Sequence, residues 1–488
     1  MIYLYCVWVL FTGYTLAATL FFKSEELEAR LAIMPLLGVL LPALILYFLN
    51  SIKIPFTPSS LWMAWVACTA VFWGISWRFR VPQADGKKFS LFLRTLPKLQ
   101  KIFILLLILG LIGLYARIAM NETWPGDGFS HWGMKARYWL HHQSISYSDF
   151  EIMEYKHWMS YPLYHSLGML VHMLALPFWP PSYSCHLNDA FYMIGAWTTA
   201  IFFFKLVMPE LKAIWRIFWG SVVAFGSREL MGLLIAGYAE IDSAYFIFLS
   251  ATLLLLAWQF PQRKNAYVAL GFPIGAAMIT RPDLTLKMAL LFFAFFMVTW
   301  FSKKGRRPSY SLFPLLLIPT LFLWAIDKLS RPDVSYLMKV YNQFFDYIVW
   351  DISYIVERLP KGVMAFYYSF ATSCEGPHKC SFTLALLIVA LSLVLLVAKT
   401  IRAKLKGNFG QIALFLLLAI SLNYLLCFVP IVALNNHLEP SLDDPRYYAS
   451  AGMGRYVLHV NFLLNALVAM VAVRLYAYYK NLFYSDKT

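Results

Sequence analysis

The feature that most constrains this 488-residue chain is the recurrence of apolar runs, many of them near the roughly 20 residues that a helix needs to cross a hydrocarbon core. They fall at 2–22, 31–50, 60–77, 102–118, 162–179, 187–207, 213–226, 243–259, 266–280, 284–301, 310–327, 381–398, 409–432 and 456–473. A soluble domain could not bury so many. Only 14% of the residues are charged, against about 25% in soluble domains. The mean hydropathy is +0.62. The expectation is an all-α polytopic membrane protein, with about 12–14 transmembrane helices by length and hydropathy. Met1–Phe22 has no basic leader and no small-residue cleavage site, so it reads as a retained helix and not a cleaved signal.

The net charge of +16 does not point to nucleic acid. The basic residues sit in short loops between apolar runs, where they set topology and meet anionic headgroups. Arg78 to Lys101 carries seven basic residues and one acid, Asp85. Lys303–Arg307, Lys399–Lys406 and Arg474–Lys480 repeat the bias, and the positive-inside rule places all four on the cytoplasmic side. The acid- and aromatic-rich loops, 119–160, 328–380 and 433–454, then lie on the extracytoplasmic side. Between 161 and 238 the alternation is ambiguous, and a re-entrant or tilted pair of helices there would restore it.

This divides the chain into three expected parts. Residues 1–100 form an accessory set of helices with a basic cytoplasmic loop. Residues 101–301 form a core with the outer loop 119–160. Residues 302–488 supply the remaining helices and the outer loops 328–380 and 433–454.

Ionisable residues beside an apolar helix are costly and mark candidate sites. In Pro125–Tyr138, helical spacing puts Asp127, His131, Lys135 and Tyr138 on one face, with Phe129, Trp132, Ala136 and Leu140 opposite. That pattern fits an interfacial helix presenting a polar edge to water. The other polar clusters on this side are Glu154–His165, including His157 and Tyr161; Gly237–Asp242, with Glu240 and Asp242; Arg281-Pro-Asp283; and Asn435–His459, with Arg446 and Arg455. Taken singly, each also has a plainer explanation. Acids solubilise loops and favour helix starts, arginines snorkel, and His165 and His459 suit packing. Their convergence on one side gives them weight. Cys374 and Cys380 fit either a disulfide or an incidental pair of thiols.

Chemically, a carboxylate beside fixed cations and aromatic rings suits sugar transfer from a lipid phosphate. The acid takes the proton of the acceptor hydroxyl, and the cations stabilise the departing phosphate. The same segments resemble the GT-C glycosyltransferases, multispanning enzymes that use polyprenyl-phosphate sugars and include protein O-mannosyltransferases and lipid A aminoarabinose transferases. Asp127-Gly-Phe-Ser-His-Trp-Gly-Met-Lys-Ala-Arg-Tyr138 is similar to the Asp-x-x-x-x-Trp-x-x-Lys-Ala-(Lys/Arg) pattern of their first outer loop. Tyr161-Pro-Leu, Gly237-Tyr-Ala-Glu-Ile-Asp242 and Thr280-Arg-Pro-Asp283 follow in the family's order.

The resemblance covers about residues 100–300 and implies a GT-C-like bundle with amphipathic interfacial helices in the first outer loop. It implies an inverting transfer to a glycan, lipid or protein acceptor on the periplasmic face of a bacterial inner membrane. Asp127, Glu240 and Asp242 would be the catalytic acids. Arg281, Asp283, Lys135, His131, His157, Tyr161, Arg446 and Arg455 would contact the donor phosphate or substrate. Members differ in whether they need Mg or Mn, so metal use stays open. The alternatives are a flippase or transporter of lipid-linked glycans, and a polymerase or ligase using diphosphate-linked donors.

Overall fold

A computed structural model describes residues 2–21, 27–79, 81–119, 133–145, 163–180, 187–226, 239–301, 307–330, 351–371, 409–433 and 457–485. Among them there are helices and no strands. They are α1 (Ile2–Leu20), α2 (Leu27–Ser51), α3 (Pro58–Arg78), α4 (Val81–Thr95), α5 (Lys98–Ala119), α6 (Met134–His142), α7 (Tyr164–Ala175) and α8 (Leu187–Val207). After these come α9 (Ala213–Phe225), α10 (Glu240–Gln259), α11 (Lys264–Met278), α12 (Pro282–Trp300), α13 (Pro314–Ser330), α14 (Ile352–Ala371), α15 (Phe409–Ala433) and α16 (Asn461–Ser485). Eight helices among the described residues are long and apolar enough to cross a membrane. The protein is therefore a helical, multi-pass membrane protein. The expected helix at 381–398 lies outside the described residues.

The centre of the bundle is α10. Its sequence carries no charge after the first turn and is apolar apart from Ser250, Thr252 and the terminal Gln259. Every residue from Glu240 to Trp258 is buried, as a helix so nearly apolar on all sides requires. α8, α11 and α12 pack against it, and α2 packs against α8. α1 and α2 touch backbone to backbone. A Cβ on Gly13 would stand 1.9 Å from the Met34 carbonyl oxygen, and one on Gly38 would stand 2.4 Å from that of Val9. Small residues at such a crossing are how helices associate closely without a hydrophobic driving force. α5, in contrast, leaves Leu105, Leu106, Ile108, Leu109 and Ile112 exposed, an apolar surface suited to lipid.

The two ends of the bundle differ in charge. At one end Lys205 on α8 pairs with Glu28 on α2 at 2.6 Å, and Arg216 on α9 lies 3.6 Å from the same carboxylate. Arg474 on α16 meets Glu210 there at 2.7 Å. The stretch 78–101, expected as a basic loop, contains the amphipathic helix α4. Its one acid, Asp85, is buried and bonded by the equally buried Arg30 and by Tyr14. The opposite end gathers the first turns of α7, α8, α10 and α12 and the last turn of α13.

α7 corrects one expectation. The run 162–179 reads as a membrane span, but the helix has 12 residues, about 18 Å at 1.5 Å per residue, against a core of about 30 Å. His165 in its first turn bonds Asp242 in the first turn of α10. His172, two turns on, bonds Tyr5 near the start of α1 and stacks on Phe191 of α8 at 5.6 Å. Both ends of α7 thus touch helix starts at the same end of the bundle. It lies across that end, which removes one expected crossing from the stretch between 161 and 238.

Candidate functional site

Two adjoining clusters of buried polar groups occupy the end where these helices begin. The first runs along the short turn between α11 and α12. Pro282 opens α12, with Arg281 extended at the N-cap; a proline is favoured there because its missing N–H costs nothing in the first turn. The Arg281 guanidinium donates through Nη1 to Glu240 Oε1 at 2.9 Å and through Nε to Asp283 Oδ1 at 3.0 Å. One turn along, Lys287 Nζ lies 3.7 Å from Asp283 Oδ2 and 2.5 Å from His459 Nδ1. Acid and base alternate, so the row is close to neutral. Glu240 and His459 are fully buried, whereas the Asp283 side chain is 38% exposed. The row opens outward at Asp283, whose carboxylate lies between two cations.

The second cluster lies deeper. His165 Nδ1 and Asp242 Oδ2 are 2.5 Å apart, and Asn188 Nδ2 lies 3.2 and 3.3 Å from the same two atoms. Asp189, next along α8, brings a second carboxylate within 4.8 Å of the His165 and Asp242 donor atoms. Glu240, Asp242 and Asp189 all stand in the first turn of a helix, where unsatisfied N–H groups and the macrodipole favour negative charge. Below the cluster is a buried column of tyrosines. Tyr164 and Tyr192 join hydroxyls at 2.6 Å, Tyr192 stacks on Tyr245 at 5.5 Å, and Tyr245 donates to the Ala32 carbonyl at 2.7 Å. Apolar packing and satisfied hydroxyls fix this floor.

Four of the expected site residues meet here: Glu240, Asp242, Arg281 and Asp283. Lys135 differs from expectation. It belongs to α6 but is 1% exposed, and Ala136 and Trp139 beside it are fully buried. α6 packs on α7, so this part of the segment is sunk into the protein and does not show Lys135 to water. Asp127, His131, His157, Tyr161, Arg446, Arg455, Cys374 and Cys380 lie outside the described residues.

Sequence reasoning missed Asp189, Lys287 and Asp327, and it treated His165 and His459 as packing residues. Asp189 carried the same signal as Glu240, an acid at the start of a long apolar run. Asp327 ends α13, accepting from Tyr47 Oη at 3.0 Å and from the Leu163 backbone N–H at 3.3 Å, and so ties α7's entry to two spans. The chain matches no family profile, no curated protein and no solved structure.

Proposed function

We propose that this protein is a GT-C-type glycosyltransferase that moves a sugar from a polyprenyl-phosphate carrier to an acceptor hydroxyl. The reaction would take place on the extracytoplasmic face, at the bundle end where α7, α8, α10 and α12 begin. One observation carries the reading: Arg281 and Lys287 flank the half-exposed carboxylate of Asp283. Two cations already arranged around one anionic group suit a phosphate, and Arg offers planar, two-pronged contacts to phosphate oxygens. In the reaction the acceptor oxygen attacks the anomeric carbon as the bond to the phosphate oxygen breaks. Polyprenyl phosphate leaves with the electron pair, and the hydroxyl proton passes to the Asp127 carboxylate. The sugar configuration inverts. Glu240 holds Arg281 in place, and the apolar helices give the lipid tail a surface.

A transporter of lipid-linked glycans would carry ionisable groups near the membrane midplane. Among the described residues, every Asp, Glu, Lys and Arg of the eight long spans lies within two turns of a helix end, which favours surface chemistry. The test is release of polyprenyl phosphate by the purified protein from a panel of polyprenyl-phosphate sugars, with glycan, lipid and peptide acceptors. Asp127→Asn should cut turnover by about 10²–10⁴, the usual contribution of a general base, with the protein folded and in the membrane. Near-normal turnover by that variant would sink the proposal.

A further inference from the structure

The deeper cluster has a charge problem that its own contacts do not solve. His165, Asp189 and Asp242 are each 0% exposed. Neither oxygen of Asp189, nor Oδ1 of Asp242, meets a hydrogen-bond partner among the described residues. Arg281 is directed to Glu240 and Asp283, and Lys287 to Asp283 and His459. These contacts point the two cations toward the outer row and its opening at Asp283, away from the deeper carboxylates. Even with an imidazolium at His165, two carboxylates leave the group one negative charge in excess, and a buried charge must be balanced.

We infer that His165, Asp189 and Asp242 hold a divalent first-row cation of the manganese or zinc type. The donor set is one imidazole nitrogen with carboxylate oxygens, which suits such ions. A calcium site would instead gather six to eight oxygens. The geometry agrees. Metal–donor bonds of about 2.0–2.2 Å put two ligand atoms at most roughly 4.3 Å apart, and the three donor atoms here lie within 4.8 Å of one another. Donors at the upper separation would close by about half an ångström for a trans pair, and by roughly 1.4 Å at the tetrahedral angle, where such bonds put ligand atoms about 3.4 Å apart. The three ligands come from α7, α8 and α10, so the ion would join the transverse helix to the two long helices beneath it. Asn188, within 3.3 Å of both His165 and Asp242, supplies the outer hydrogen bond that orients such ligands. The inference rests on charge and donor geometry and stands apart from sugar transfer.

The test is elemental analysis of the full-length protein in detergent, as purified and after chelator dialysis with Mn²⁺ or Zn²⁺ returned. One ion per chain is expected, with a melting temperature that falls on chelation and recovers on return of the metal. Asp189→Asn and His165→Gln should each weaken retention tenfold or more, whereas Glu210→Gln at the opposite end of the bundle keeps the full content. The wild-type measurement needs no variant to fold. Absence of bound metal, with a melting temperature indifferent to chelator and to both ions, would overturn the inference in favour of a proton shared between Asp189 and Asp242. Full metal content in both ligand variants would overturn it too.

Discussion

Replacing Arg281 by Gln tests how the charged row is held. Arg281 has 8% of its side chain exposed and joins Glu240, at 0%, to Asp283, at 38%. The two contacts are therefore unequal. The Asp283 contact is screened and retains Lys287 at 3.7 Å, so its loss belongs with surface pairs, worth about 0–1 kcal/mol. Glu240 would lose its guanidinium partner in the interior, where breaking a pair costs about 3–5 kcal/mol. Because the row keeps its second cation, we expect the lower end, about 3 kcal/mol. The assay is thermal unfolding in detergent at one scan rate, with Lys205→Met at the half-exposed Glu28 pair as a benchmark. The double variant Arg281→Gln/Glu240→Gln removes both charges and should recover most of the loss, because the penalty comes from a buried acid that has lost its guanidinium. The reasoning fails if Arg281→Gln costs no more than Lys205→Met, or if the double variant is no more stable than the single one.

Further outcomes follow from other contacts. Asp85→Ala removes the carboxylate from the buried Arg30, which keeps its bond to the Phe21 carbonyl. It should cost about 3 kcal/mol, the lower end for breaking a buried pair, read as a lower melting temperature and faster proteolysis at α4. Gly195→Ala puts a Cβ 2.5 Å from the Tyr245 ring; overpacking of this kind costs about 1–3 kcal/mol, measurable in the same unfolding assay. Asp351 precedes α14, where the Ser353 hydroxyl and backbone N–H donate to it and hold its carboxyl below the usual range. Its contribution to that helix start is complete above the ordinary Asp pKa and is lost as pH falls through the lowered value. Protection of the Ser353 amide, measured against its intrinsic exchange rate at each pH, should therefore fall in acid, and Asp351→Asn should blunt that response.

The helices were legible because bilayer length and apolar composition coincide. The run 187–207 is α8 to the residue, and 213–226 ends one residue beyond α9. Where length and composition part, the reading failed. The run 162–179 is apolar enough for a span, yet its helix stops after Ala175. Its fate was set by partners far away in sequence, Asp242 and Tyr5, which hydropathy does not register. Stretch 78–101 read as a loop because its charges hid a helix whose single acid turns inward to Arg30. At the site, Glu240, Asp242, Arg281 and Asp283 stood out as charges at helix starts. Asp189 and Lys287 had the same kind of signal but no matching motif to draw attention to them. The burial of Lys135 is a tertiary fact, since the spacing of α6 gives its faces but not the neighbour that covers them.

The contact of α1 with α2 through Gly13 and Gly38 has a consequence for how the protein is made. All of it lies within the first 51 residues, and chains fold from the N-terminus as they are synthesised. Contacts at short sequence separation cost little loop entropy to close. The pair can therefore zip together before α8 has been translated. It then stands in the bilayer as a preformed template, and the Ala32 carbonyl on α2 is already in position to accept the hydroxyl of Tyr245 when that residue arrives. A side chain wider than hydrogen at position 13 would act on the order of assembly as well as on the finished bundle.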